Sequence, residues 1–170
     1  DLDKRYTAFS KEMDRLLDVF ELSKVDWMTW DNSEREELVN RVLPESYCEG
    51  YGTVNLETIR NLMQDQAEGL IDFFSQLDTP IVLLGKAEDR ISGDLLTTKV
   101  GCSVFNACGD LSQGEEQAIL ASSKAFLGGG KGILAWSFLQ KRISVDLGEL
   151  FNEKGDVESC VENIRKQIRN

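Results

Sequence analysis

Leu2, Tyr6, Phe9, Met13, Leu16 and Phe20 follow one another at steps of three or four residues. That spacing predicts an amphipathic helix over about residues 3–22. Asn32-Ser33 followed by Glu36 has capping-box spacing, and Leu38, Val39, Val42 and Leu43 continue it as a second apolar stripe that Pro44 stops. Residues 44–54 carry Tyr47, Gly50, Tyr51 and Gly52 and read as a loop. From Asn55, the positions Leu56, Ile59, Leu62, Met63, Leu70, Phe73, Phe74 and Leu77 keep helical spacing, with a less apolar middle at Gln66 and Gly69. Thr79 then offers an N-cap and Pro80 a first helical position that loses no hydrogen bond.

The stretch 80–108 fits two patterns. Ile81-Val82-Leu83-Leu84 is a run suited to a short buried strand. Yet Leu84, Ala87, Ile91, Leu95, Thr98, Cys102 and Phe105 recur every three or four residues. The recurrence favours two helices broken near Gly93 or Gly101. Ser112 and Glu115 form a further capping box, opening a helix through Ile119, Leu120 and Phe126 that Gly128-Gly129-Gly130-Lys131-Gly132 ends. Ile133, Leu134, Trp136, Phe138 and Leu139 are apolar nearly all round and suit a buried helix. Ser144 caps a short turn bearing Val145, Leu147 and Leu150. Asp156 opens a last helix with Val157, Cys160, Val161, Ile164 and Ile168 on one face. The expected fold is therefore all-α: one domain over residues 1–170, a compact bundle of seven or eight short-to-medium helices. The alternative is α+β, with a small sheet from residues 81–105 and 132–139.

Composition narrows the chemistry. The chain of 170 residues has no histidine. That excludes Ser-His-Asp and Cys-His nucleophiles, imidazole bases and His-containing zinc sites. Cys48, Cys102, Cys108 and Cys160 form no Cys-x-x-Cys pair, and four cysteines are too few for a disulfide scaffold. They read as reduced, mostly buried thiols in a reducing intracellular compartment such as the cytoplasm. No apolar run reaches the ~18–20 residues of a membrane span.

The glycine cluster is not a phosphate loop. In G-x-x-x-x-G-K-[ST] the first glycine would fall on Ala125 and the hydroxyl residue on Gly132. Gly128, Gly129, Gly130 and Gly132 are expected to act as a hinge between elements. The carboxylates show neither calcium-loop spacing nor a preferred catalytic pair. No metal, cofactor or catalytic set is predicted.

Charge is uneven. The net charge is −11, and residues 1–78 hold 18 acidic against 8 basic groups. An acidic half disfavours nucleic acid and suits a protein partner with a basic surface. Asp14, Asp18 and Glu34 lie on the expected acidic faces. Trp27, Met28 and Trp30, between two predicted helices, are the candidate apolar anchor. Tyr47 and Tyr51 are a candidate recognition loop. These residues lead to the expectation of a non-enzymatic protein-interaction module, an adaptor, regulator or assembly subunit. The alternative is a helical carrier that binds an apolar small molecule in its core.

Overall fold

The computed structural model describes Lys11, Arg15 and residues 32–129, 143–152 and 155–169. Its centre is a sheet of five short parallel strands: β1 (Gly52–Asn55), β2 (Ile81–Leu84), β3 (Val104–Asn106), β4 (Ala125–Gly128) and β5 (Ile143–Asp146). They stand in the order β3-β2-β1-β4-β5. Gly52 of β1 is level with Ile81 of β2 and with Ala125 of β4, so the central strands start and end together. The helices are α1 (Asn32–Val42), α2 (Arg60–Asp65), α3 (Ala67–Leu77), α4 (Arg90–Val100), α5 (Gln113–Ser122), α6 (Leu147–Asn152) and α7 (Val157–Arg169).

The architecture is α/β, and the expected all-α bundle is overturned by this sheet. The cause lies in how parallel strands are buried. Helices cover both faces, so a strand shows an unbroken apolar run in place of alternation. Ile81-Val82-Leu83-Leu84 and Ala125-Phe126-Leu127-Gly128 are buried at every position. Ile81 and Leu83 pack on one side with Leu70, Phe73 and Phe74 of α3, Leu96 of α4 and Ile164 of α7. Val82 and Leu84 pack on the other with Leu38 and Val39 of α1 and Ala118 and Ile119 of α5. The result is three layers, helices on sheet on helices.

Several expected boundaries move accordingly. Residues 44–54 end in β1 instead of being loop throughout. Helix α5 stops at Ser122, and Phe126 belongs to β4. Ser144 lies inside β5 in place of capping a turn. Thr79 and Pro80 precede β2 and do not start a helix; Asp78 ends α3 in a left-handed conformation (φ 42°). Of the alternative sheet, residues 81–105 hold β2 and most of β3, while residues 132–139 lie outside the described residues. So does the expected first helix, apart from Lys11 and Arg15.

The capping logic holds where it was local. Ser112 Oγ accepts the Glu115 backbone N–H at 3.2 Å, and the Glu115 carboxylate accepts the Ser112 N–H at 3.0 Å. Asn55 Oδ1 accepts from Glu57 N–H at 3.1 Å. The four cysteines are free thiols, but Cys48 and Cys102 are exposed, against the expectation of mostly buried sulfurs. Cys108 is buried, and burial pushes its thiol up to about 12. Among the described residues no helix is long and apolar enough to cross a membrane.

Candidate functional site

The winding of the sheet changes direction at β1. From β1 the chain moves outward to β2 and β3 through α2, α3 and α4, with α3 and α4 on one face. It then returns through α5 on the opposite face to β4, on the far side of β1. Strand order therefore reverses between β1 and its neighbour β4. In an open parallel sheet, the place where strand order reverses leaves a crevice outside the carboxyl ends of the strands, and ligands bind there.

A cleft of about 250 Å³ occupies that place. One wall is the segment that leaves β1: Thr58, Ile59, Asn61 and Leu62, then Asp65 and Gln66 at the end of α2. Facing it are Gly129, next after β4, and Asp146, Gly148 and Asn152 at the end of β5 and along α6. Ile59 and Leu62 are buried and form an apolar floor. The rim is carboxylate and amide, and none of these described lining residues is lysine or arginine.

Each wall has a reason to stand where it does. The first turn after β1 (Leu56–Ile59) is a 3-10 turn. Thr58 Oγ1 donates to the Asn55 carbonyl at 2.7 Å and accepts the Gly129 N–H at 3.0 Å, tying the exit of β1 to the exit of β4. A Cβ on Gly129 would lie 2.5 Å from the Thr58 carbonyl oxygen, so only glycine allows this approach. On the β5 side, Asp146 Oδ1 accepts the Glu149 N–H at 3.1 Å at the start of α6. Gln66 Nε2 donates to Asn152 Oδ1 at 2.9 Å, joining the two walls at one end.

The other flank of β1 is closed by charge. Arg60, first residue of α2, forks onto Asp89 beside the exit of β2. Nε donates to Oδ1 at 2.6 Å, and Nη2 donates to Oδ2 at 2.9 Å. Asp89 is only 3 % exposed, and its Oδ2 also accepts the Lys86 N–H at 2.9 Å. Burial alone would raise the Asp89 carboxyl. The Arg60 hydrogen bonds, the Lys86 N–H and the charges of both residues outweigh it, and the group sits below its usual range. Nearer the surface, Arg60 Nη2 meets Glu88 at 2.8 Å and Lys86 Nζ meets Glu57 at 3.3 Å.

The residues singled out from the sequence are dispersed. Trp27, Met28, Trp30, Asp14 and Asp18 lie outside the described residues, as do Gly130 and Gly132. Glu34 is exposed on α1. Tyr47 and Tyr51 belong to the core where a recognition loop was expected. They are 1 % and 2 % exposed, and their hydroxyls donate to the carbonyls of Cys102 at 2.9 Å and Ile119 at 2.7 Å. Burial raises the Tyr47 hydroxyl well above the usual tyrosine value. Gly128 is the last residue of β4 and Gly129 lines the cleft, so the glycine run begins at the crevice and does not join two helices. The cleft residues Asn61, Asp65, Gln66, Asp146 and Asn152 were not singled out. Their one sequence signal is the glycine run that follows a four-residue buried stretch.

A second depression, of about 710 Å³, lies between α3 and α7 and is lined mostly by charged side chains, among them Glu158, Glu162, Arg165 and Lys166. Among the described residues no group of three or more Cys, Asp or Glu is placed to hold a metal ion. No family model matches the chain, no curated protein matches it in sequence, and no solved structure matches it.

Proposed function

We propose that this domain binds a small, hydroxyl-rich molecule, a sugar or the ribose of a nucleoside, in the cleft at the carboxyl ends of β1, β4 and β5. The observation that carries the reading is the coincidence of that cleft with the reversal of strand order. The lining argues for the ligand class. Asp65 and Asp146 are acceptors, while Asn61, Gln66 and Asn152 both donate and accept. Hydroxyl groups do the same and satisfy such a rim pair by pair. A lone phosphate would meet two carboxylates and no described cationic side chain. The apolar floor of Ile59 and Leu62 suits the carbon face of a sugar ring.

Titration of the isotope-labelled chain with ribose, adenosine, a hexose and inorganic phosphate, followed by amide NMR, tests this. Millimolar binding, worth about −4 kcal/mol, is expected for at least one hydroxyl-bearing probe, with shifts at Asn61, Asp65, Gly129 and Asp146. Shifts there with phosphate alone, or with none of the probes, reject the reading.

A protein-interaction role is the second reading. It is favoured by Ile91 (83 % exposed) and Leu95 (40 % exposed), one turn apart on α4. Cross-linking of the chain in native extract, with and without Ile91→Glu, tests it: adducts that Ile91→Glu leaves unchanged reject this face.

A further inference from the structure

The turn after β1 is held from two directions. Toward β4 it is tied by the Gly129 N–H to Thr58 Oγ1, across the cleft. Toward β2 it is tied by Arg60, which directly follows the turn and forks onto the buried Asp89. The two attachments are two residues apart, at Thr58 and Arg60, and pull on opposite flanks of one short 3-10 segment. Asp89 is itself fixed. Its Oδ2 accepts the Lys86 N–H, and it packs so closely on Gly85 that a Cβ there would lie 2.9 Å from Oδ2. A planar guanidinium held by two parallel hydrogen bonds fixes orientation as well as distance. Neither Arg60 nor Asp89 lines the cleft; Thr58, Ile59 and Asn61, on the segment they hold, do.

We infer that Arg60 and Asp89 are positioning residues for the cleft: their fork sets where the β1 wall stands relative to Gly129. The inference rests on the cleft being the binding site, but the coupling it describes belongs to the free protein and is measurable without ligand. Releasing the fork frees the turn to move toward β2 or away from it. The Thr58–Gly129 hydrogen bond then opens more often, and the wall carrying Asn61 shifts with it.

The test is amide hydrogen exchange on the full chain, comparing wild type with Arg60→Lys, Arg60→Ala and the control Lys86→Ala. The control removes the exposed pair with Glu57 and leaves both the Arg60 fork and the Lys86 backbone N–H on Asp89 in place. The Gly129 amide is read against that of Lys124, which donates to the Tyr51 carbonyl at 2.9 Å at the opposite end of the sheet. Exchange at Gly129 is expected to quicken at least tenfold relative to Lys124 in Arg60→Ala. The effect should be smaller in Arg60→Lys, which keeps charge without the fork, and absent in Lys86→Ala. A general loss of stability would quicken both amides alike, and that outcome overturns the inference, as does no change at Gly129. If Arg60→Ala does not fold, Arg60→Lys decides, with a threefold relative change as the threshold. In parallel, the wild-type and Arg60→Lys chains are titrated with whichever saccharide binds. A weaker dissociation constant at unchanged melting temperature is expected; an unchanged constant rejects the positioning role. Should no saccharide bind wild type, the proposed ligand class fails while the exchange measurement still decides the coupling.

Discussion

The two flanks of β1 are built from the same materials to opposite ends. Toward β2, the exit loops are drawn together: Arg60, Asp89, Glu88, Lys86 and Glu57 join across the gap in ion pairs and hydrogen bonds. Toward β4, the hydrogen bond from Gly129 to Thr58 and, at one end, that from Gln66 to Asn152 cross, and the remaining space is a cleft edged with carboxylates and amides. Topology accounts for the difference. Between β1 and β2 the crossover through α3 lies on one face and continues the same winding to β3, so the exits of β1 and β2 stay side by side. Between β1 and β4 the strand order reverses, and a hollow is left outside the carboxyl ends of the strands. One flank has charges that satisfy each other. The other has polar groups with capacity to spare, which is what a ligand needs.

The sharpest way to break the closed flank is Asp89→Ala. It removes an acceptor of three charge-assisted or backbone hydrogen bonds from a site only 3 % exposed. A loss of about 2–3 kcal/mol in urea unfolding is expected. Glu57→Ala, which removes the exposed pair with Lys86, should cost less than about 0.5 kcal/mol. Equal costs would mean that the buried fork is no more important than the surface pair.

On the open flank, Gly129→Ala is the counterpart. The new methyl would come 2.5 Å from the Thr58 carbonyl oxygen, a backbone atom that cannot rotate away. A destabilisation of about 1–2 kcal/mol is expected, together with a wider separation of the cleft walls. The measurements are urea unfolding and the amide shifts of Asn61 and Asp65. A neutral result would show that the two exits are not in the contact described.

This asymmetry explains how much of the molecule was legible beforehand. Local signals carried through: the Ser112–Glu115 box, the stop at Pro44 and the amphipathic α7, whose Val161, Ile164 and Ile168 face the core, all lie where the spacing put them. The sheet was legible only at Ile81-Val82-Leu83-Leu84, as the alternative reading, because its strands are three or four residues long and covered on both faces. β1 lay in a stretch that read as loop because of Tyr47, Gly50, Tyr51 and Gly52, and its polar Thr53 is buried, paired with Ser123 Oγ at 3.2 Å. The helical recurrence from Leu84 to Phe105 was partly coincidence. Only Ile91, Leu95 and Thr98 among its members lie on α4; Ile91 and Leu95 are exposed, while the buried face carries Gly93 and Leu96. The cleft was less legible still. Asn61 and Asp65 on one wall stand 81 to 91 positions from Asp146 and Asn152 on the other; they come together only once the order of strands is known, and no spacing rule encodes that order.

Acid sharpens the comparison further. The Asp89 carboxyl is lowered in the folded chain, so its ion pair adds stability above the unfolded value of about 3.9. That contribution is lost as pH falls through the lower folded value. Urea midpoints between pH 5 and pH 2 should therefore fall more steeply for wild type than for Asp89→Asn, which has no carboxyl to protonate. Parallel curves would place the acid sensitivity elsewhere.

The smallest effect on stability should come from Asp146→Asn, and its smallness is the point of the experiment. Asp146 lines the cleft, and its Oδ1 accepts the Glu149 N–H at the start of α6. Asparagine caps a helix about as well as aspartate, because the amide oxygen accepts the same N–H. A change of no more than about 0.5 kcal/mol is expected in unfolding. Its effect on a hydroxyl-bearing ligand is different in kind. A carboxylate oxygen accepts from a hydroxyl with charge assistance, and the amide that replaces it presents a donor on one side. Loss of one such bond corresponds to about 1.4 kcal/mol, a tenfold weaker dissociation constant for the saccharide that binds wild type. Asp89→Ala should show the reverse order of magnitudes, with a large loss of stability. If Asp146→Asn instead unfolds the protein and leaves binding untouched, the carboxylate belongs to the scaffold, and the open flank loses the residue on which its chemistry most depends.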